Sequence, residues 1–236
     1  MLKVNNLNVS YGYLQVVWNV SLEVGEGEMV AILGPNGAGK TTTLKSITGL
    51  LAPMDGSVQF LGQDITGTPT HQLPHLGLAF IPEERNLFSA MSVEDNLLMG
   101  AFTIKDKAQI KKNLRYVYDL FPRLEERDVQ LAGTMSGGER QMLAIARGLM
   151  SNPKLIILDE PSMGLSPENV VAVFETIEKL REEKVTVVIV EQNVDTTLKF
   201  ANRAYVMEQG RVAMEDTSEN ILSNDHVRKM YLGIGD

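Results

Sequence analysis

No part of this chain limits what it can fold into more than Gly34-Pro35-Asn36-Gly37-Ala38-Gly39-Lys40-Thr41. A glycine, four residues and then Gly-Lys-Thr is the spacing of a phosphate-binding loop. It follows the apolar run Met29-Val30-Ala31-Ile32-Leu33, which reads as a buried strand. A helix is expected over residues 42–48, stopped by Gly49. Strand, glycine-rich turn and helix in that order require a sheet whose strand ends open onto a helix N-terminus. Glycines let successive backbone amides turn inward around an anion, and the helix dipole adds to the attraction. Lys40 is expected to reach the β and γ phosphates of a nucleotide, Thr41 to hold Mg2+ through its hydroxyl, and Thr42 to lie near the α phosphate.

The flanking sequence embeds this unit among short strands. Pieces at residues 2–4, 7–11 and 20–24 are separated by glycine or asparagine turns, Pro53-Met54-Asp55-Gly56 turns into a strand over 57–60, and residues 76–81 read as a further buried strand. From about residue 91 to 150 the pattern becomes helical. Ile110, Leu114, Val117 and Phe121 form one apolar stripe, ended by Pro122; Met142, Ile145, Ala146 and Leu149 form another, ended before Asn152-Pro153. The buried-strand pattern resumes at 155–158 and 185–190. Between these strands Ser166-Pro167 opens a helix with Val170, Phe174, Ile177 and Leu180 on its apolar side. Glu208-Gln209-Gly210 joins a hairpin from 204–207 to 211–214, before a polar helical tail.

At 236 residues the chain is long enough for one large α/β core. A net charge of −8 argues against a broad nucleic-acid footprint, and the absence of cysteine excludes disulfides and thiolate chemistry. The strongly apolar runs 155–158 and 185–190 are too short to span a bilayer, and no apolar region of a secretory signal follows Lys3. Any membrane role is expected to be peripheral, through a protein partner.

Two further motifs carry chemistry. Asp159 and Glu160 close a run of large apolar residues, as carboxylates do at the C-terminal edge of a central strand; Asp159 is expected to orient Mg2+ and Glu160 to polarise an attacking water. Met135-Ser136-Gly137-Gly138-Glu139 opens a helix whose serine and glycine amides suit an anion. Taken alone it reads equally as an ordinary serine cap.

Together the three motifs, in this order and spacing, resemble the ATP-binding subunits of ABC transporters over nearly the whole chain. Residues 34–41 match the first nucleotide motif of that family, 135–139 its signature motif with Met135 in place of the usual leucine, and 155–160 its acidic strand motif. The resemblance implies an α/β P-loop NTPase fold of ABC type with a RecA-like core, an N-terminal antiparallel β subdomain and an inserted helical subdomain. It implies one domain over 1–236, with the core in 1–90 and 151–236 and the insert in 91–150. It further implies two copies stacked head to tail, each ATP lying between the Lys40 region of one copy and the Ser136 region of the other.

The resemblance assigns ATP and Mg2+ as cofactors. Tyr11 matches the aromatic residue that stacks on adenine. Gly34, Pro35, Asn36, Gly37, Ala38, Gly39, Lys40, Thr41 and Thr42, with Ser136, Gly137, Gly138 and Glu139, are expected to bind nucleotide; Thr41, Glu83 and Asp159 to hold the metal; and Glu160, Lys40 and Gln192 to act in catalysis. Glu83 replaces a customary glutamine, Gln192 a customary histidine and Ser166 a customary aspartate. An ionised Glu83 cannot donate an N–H, and Gln192 cannot take up a proton. Pro82-Glu83, residues 135–144 and Val190-Glu191-Gln192-Asn193 together look like the second ATP-binding subunit of branched-chain amino-acid importers, with urea and short-chain amide importers sharing almost the same pattern. A soluble ATP-dependent switch in translation or DNA metabolism is the rival class. The implied partners are a second copy or a related ATP-binding subunit, two transmembrane permeases, and indirectly an extracytoplasmic solute-binding protein, with no nucleic acid. The implied location is the cytoplasmic face of the cell membrane. The Glu83 loop with residues 86–96 is the expected dock for the membrane subunit, with Leu87 and Phe88 read either as contacts or as internal packing.

Overall fold

A computed structural model describes residues 1–225 and 227. In chain order its strands are β1 (Leu2–Tyr11), β2 (Leu14–Val24), β3 (Met29–Leu33), β4 (Asp55–Phe60), β5 (Gln63–Asp64), β6 (Leu78–Ile81), β7 (Leu155–Asp159), β8 (Thr186–Glu191), β9 (Arg203–Glu208) and β10 (Arg211–Thr217). The helices are α1 (Lys40–Ile47), α2 (Leu73–Leu76), α3 (Val93–Gly100), α4 (Lys107–Leu120), α5 (Pro122–Glu125), α6 (Gly137–Leu149), α7 (Pro167–Glu182), α8 (Val194–Phe200) and α9 (Ser218–Ser223). Two compact units result, one from Met1–His71 with the described residues from Leu180 onward, the other from Gln72–Lys179. Among the described residues no helix is long and apolar enough to cross a membrane. The part of the polar helical tail expected beyond residue 227 lies outside the described residues.

In the first unit an antiparallel sheet runs in the order β2-β1-β4-β5. The two pieces expected at 2–4 and 7–11 are one strand, and the piece at 20–24 belongs to the longer β2. Leu2, Val4, Leu7 and Val9 are all buried, which a strict two-residue period forbids, because the step from Val4 to Leu7 is odd. A bulge absorbs the extra residue: register shifts occur there, and Asn6 has φ 47°. Val17 and Val20 pose the same conflict on β2, and Asn19, φ 50°, resolves it likewise. Asparagine suits these sites because it tolerates the left-handed region better than most side chains.

The unit's second layer of strands places β3 between β8 and β9, both parallel to it, with β10 antiparallel on β9. Every residue of β3 and β8 is buried, as central parallel strands require. The β9–β10 turn has φ 47° at Gln209 and 77° at Gly210, the paired positive values that a two-residue hairpin favours. Arg203, half-buried, ties this hairpin down: its Nη1 donates to Tyr205 Oη and Glu215 Oε1, both at 2.7 Å, and its Nε pairs with Glu28.

In the second unit β6 and β7 are parallel, with Ile81 opposite Leu158. The strand expected from residue 76 begins only at Leu78, because Leu76 ends α2 and Gly77, φ 90°, closes that helix. Of the stripe expected on α4, Val117 is fully buried and Phe121 follows as the buried C-cap, while Asn113 fills the next turn and donates to Met150 O at 2.9 Å. The loop between β6 and α3 is irregular, and one of the side chains that hold it is Asn96. Asn96 is fully buried; its Oδ1 accepts from Phe88 N at 2.9 Å, and its Nδ2 donates to Phe88 O at 3.0 Å and Ser92 O at 2.9 Å. Replacing Asn96 by alanine strands these backbone groups, so Asn96→Ala is expected to destabilise the protein by about 1–3 kcal/mol, read as a lower midpoint in thermal or urea denaturation.

Candidate nucleotide site

The phosphate loop of the first unit is shaped by contacts that reach it from far along the chain. Gly34 has φ 151°, and a Cβ there would lie 2.3 Å from Met207 O of β9. At the other end Ala38 O accepts from Gly210 N at 3.0 Å, while Gly210 O accepts from Trp18 N at 2.8 Å. A Cβ on Gly210 would fall 2.0 Å from Val16 O. The hairpin tip is thus wedged, backbone to backbone, between β2 and the loop. Pro35, Asn36 and Gly37 remain exposed at the mouth, whereas Ala38, Gly39 and Lys40 are buried.

Lys40 opens α1 and is only 4% exposed. Its Nζ donates to Gly34 O at 2.8 Å and Pro35 O at 3.3 Å, which curls the side chain back over the loop. Thr43 anchors the first turn, Oγ1 donating to Gly39 O at 2.9 Å. Thr42 is buried and Thr41 half-buried on the same turn. Tyr11 ends β1, half exposed, and Val16 and Val17 of the neighbouring strand lie 3.5 and 3.4 Å from where a Gly39 Cβ would sit. Gln192 follows Glu191, which pairs with Leu33, so Gln192 leaves β8 beside the point where Gly34 leaves β3. The first unit therefore gathers 34–42 and Gln192 at the C-terminal edge of its parallel strands.

The second unit carries the acidic residues. Asp159 ends β7 and is 2% exposed; Glu160 follows at 8% with φ 45°, a backbone conformation uncommon for a glutamate. Because Ile81 pairs with Leu158, Glu83 and Glu160 each lie two residues beyond a matched pair at the same end of adjacent strands. Among the described residues no three or more His, Asp or Glu side chains gather to hold an ion unaided. The Thr41 hydroxyl of the first unit and the Asp159 carboxylate of the second are each hard oxygen donors, the type that suits Mg2+, which takes few protein ligands and completes its shell with phosphate and water.

Ser136 and Glu139 form a capping box at the start of α6. Ser136 Oγ accepts from Glu139 N at 3.3 Å, and Glu139 Oε2 accepts from Ser136 N at 2.8 Å. Arg127 adds an ion pair to Glu139 at 3.0 Å. Glu139 therefore acts on its own helix end. Ser136 is exposed and the space around Gly137 is open, whereas Gly138 is buried, a Cβ there meeting Asn169 at 2.4 Å. The Ser136 amide above all, and then the Ser136 side chain and the charge of Arg127, hold the Glu139 carboxyl below its usual value. Sequence reasoning missed Gly210, Met207 and Asn169. Gly210 is visible as a turn residue, but no local signal links that turn to a loop so distant in the chain.

Gly210→Ala is expected to displace the hairpin tip and weaken ATP-analogue binding about tenfold in a fluorescence titration, with the fold retained by circular dichroism. A carboxyl whose folded pKa is depressed contributes stability above its unfolded value, here 4.5, and loses it as pH falls through the folded value. The thermal midpoint of Glu139→Ala should accordingly fall below that of the native chain at pH 7, by the equivalent of about 0.5–1 kcal/mol, and the gap should close in acid below 4.5.

The sequence profile of the ABC transporter family matches residues 17–163. Over 234 residues, 99% of this chain and all of the relative, the sequence is 49% identical to the high-affinity branched-chain amino acid transport ATP-binding protein BraG of Pseudomonas aeruginosa. It is 39% identical, over the full length of both, to the probable branched-chain amino acid transport ATP-binding protein LivF of Archaeoglobus fulgidus. It is 37% identical to the lipopolysaccharide export system ATP-binding protein LptB of Escherichia coli, over 98% of this chain and 97% of that one. The fold is similar to the ADP conformation of MJ1267, an ATP-binding cassette of an ABC transporter, with a TM-score of 0.86, 29% identity and 99% of each chain covered. A phosphate loop built on a parallel strand edge, an acidic strand end, a capped signature helix and full-length kinship all converge: this chain is an ATP-hydrolysing, ATP-binding subunit that belongs to the ABC transporter family.

Proposed function

We propose that this chain powers the import of branched-chain amino acids through two transmembrane permease subunits, from the cytoplasmic face of the membrane, paired with a second copy or a related ATP-binding subunit. The observation that carries the substrate class is the 49% identity to BraG across essentially the whole of both chains. Lipopolysaccharide export is the second reading, favoured by 37% identity to LptB over nearly full length. It ranks lower because both branched-chain relatives are more similar to this chain.

In the proposed reaction Lys40 and the amides of the phosphate loop bind the β and γ phosphates, and Tyr11 stacks on adenine. Thr41 and Asp159 would hold Mg2+, which when bound offsets the phosphate charge, with Glu83 near the same ion. Glu160 orients a water and takes its proton as the water oxygen bonds to the γ phosphorus and the bond to the bridging oxygen breaks. Gln192 donates an amide hydrogen bond to the γ phosphate but moves no proton.

Ser136, with the amides of Gly137 and Gly138, caps the γ phosphate of the other copy. Its hydroxyl oxygen accepts from Glu139 N, and the hydroxyl hydrogen, which otherwise faces the Glu139 carboxylate, is the part that turns to a phosphate oxygen. The dimeric post-hydrolysis cassette MJ0796 bound to ADP and Pi, with a TM-score of 0.82 and 26% identity, supports a dimer as the working unit.

The second unit also has an apolar groove of about 460 Å³ lined by Ile81, Phe88, Met99, Phe102, Ala144 and Arg147. Phe88 is 43% exposed, and the Arg147 guanidinium lies 5.7 Å from its ring centre. This groove includes part of the loop expected to meet the membrane subunit, and a cytoplasmic helix of a permease is its proposed occupant.

Glu160→Gln is expected to retain ATP binding while lowering turnover by about a hundredfold or more in the assembled complex, and unchanged ATPase would refute the role. Uptake of labelled leucine, isoleucine or valine by vesicles carrying the complex tests the solute. Uptake of urea in their place, or ATP-dependent release of lipopolysaccharide, would reject the import proposal as stated.

A further inference from the structure

Arg85 lies in the loop that follows β6, in a backbone that few residues adopt: φ is 63° at Arg85 and 47° at Asn86. Consecutive left-handed residues other than glycine persist only where their surroundings hold them. Arg147 of α6 does so, donating to Arg85 O at 2.8 Å and to Asn86 O at 2.7 Å. The held backbone sends the Arg85 side chain to two other segments. Its Nε donates to Gln141 Oε1 at 2.6 Å, and its Nη2 to Met163 O at 3.3 Å.

Each contact belongs to a different functional piece of the second unit. Gln141 is buried on α6, one turn past the Ser136 cap. Met163 N donates to Glu160 O at 3.1 Å and so closes the turn that begins at the catalytic glutamate. A single guanidinium thereby joins the Glu83 loop, the signature helix and the Glu160 turn. A lysine ammonium cannot replace it, because the two acceptors are met by separate arms of a rigid planar fork.

We propose that Arg85 is a positioning residue that sets the Glu160 turn against α6, and so governs the rate of turnover without governing affinity for ATP. The kinetic half of this statement rests on the ATPase reading above.

The test uses the full-length chain with Arg85→Ala, Arg85→Lys, Gln141→Met and the Arg85→Ala/Gln141→Met double variant. Steady-state ATPase, binding of a fluorescent ATP analogue and hydrogen exchange at the Met163 and Leu165 amides are measured on each. Arg85→Ala and Arg85→Lys are expected to lower kcat about ten- to a hundredfold, to leave analogue affinity within about twofold, and to speed exchange at Met163. Gln141→Met, which removes the acceptor at similar volume, should show the same pattern, and the double variant should fall no further than the more affected single variant. It also decides the matter if Arg85→Ala does not fold. Native kcat in these variants, loss of affinity with kcat intact, or full rescue by lysine would each overturn the proposal. Where the native chain alone shows no turnover, kcat is read in the assembled complex, and no turnover there would refute the reaction proposed above; exchange at Met163 then decides alone, faster exchange supporting the positioning role and unchanged protection overturning it.

Discussion

The structure depends on how closely backbone can approach backbone around the phosphate loop. Met207 O occupies the place of a Gly34 side chain, and Val16 O that of a Gly210 side chain. Between them Ala38 O, Gly210 and Trp18 N form a chain of main-chain hydrogen bonds from the loop through the hairpin tip to β2. Each such bond contributes about 1 kcal/mol net, but losing one inside this stack leaves a buried group unsatisfied and costs more. The shape of the anion site is therefore a property of three distant segments, and Arg203, bonded to Glu28, Tyr205 and Glu215, holds the hairpin that supplies one of them.

A second tension lies in Lys40. It sits buried at the N-terminus of α1, where the helix dipole disfavours a cation and burial disfavours any charge. The carbonyls of Gly34 and Pro35 offset part of this cost. A phosphate oxygen at this place would accept from the ammonium and face the helix end as well. The loop is thus prepared for an anion by a lysine placed where its own helix does not favour it.

The second unit solves a different problem, that of holding irregular backbone in place. The Glu83 loop has no ladder to satisfy its amides and carbonyls, and side chains take over: Asn96 at Phe88, Arg147 at Arg85 and Asn86. Arg85 then carries that order onward to Gln141 and Met163. Fixed side chains of this kind rigidify a loop at low apolar cost, and they couple its position to whatever they touch.

Much of this was legible beforehand. The glycine-rich loop between strand and helix, the buried strands at β3, β7 and β8, the hairpin at Gln209-Gly210 and the capped start of α6 all follow from local rules of period, capping and turn chemistry, which act between residues near in sequence. The bulges at Asn6 and Asn19 lie where asparagine turns between separate strand pieces were expected, inside strands that run on through them. What the sequence could not disclose is why Gly34 and Gly210 must be glycine, what Gly138 packs against, and where the Arg85 fork lands. Those answers come from atoms roughly 30 to 195 residues away in the chain, brought within contact distance only by folding, and a pattern read locally has no term for them. Composition and motif determined that this protein binds ATP as a member of its family; tertiary contact decided how the loop, the cap and the acidic turn are held in the conformations that chemistry needs.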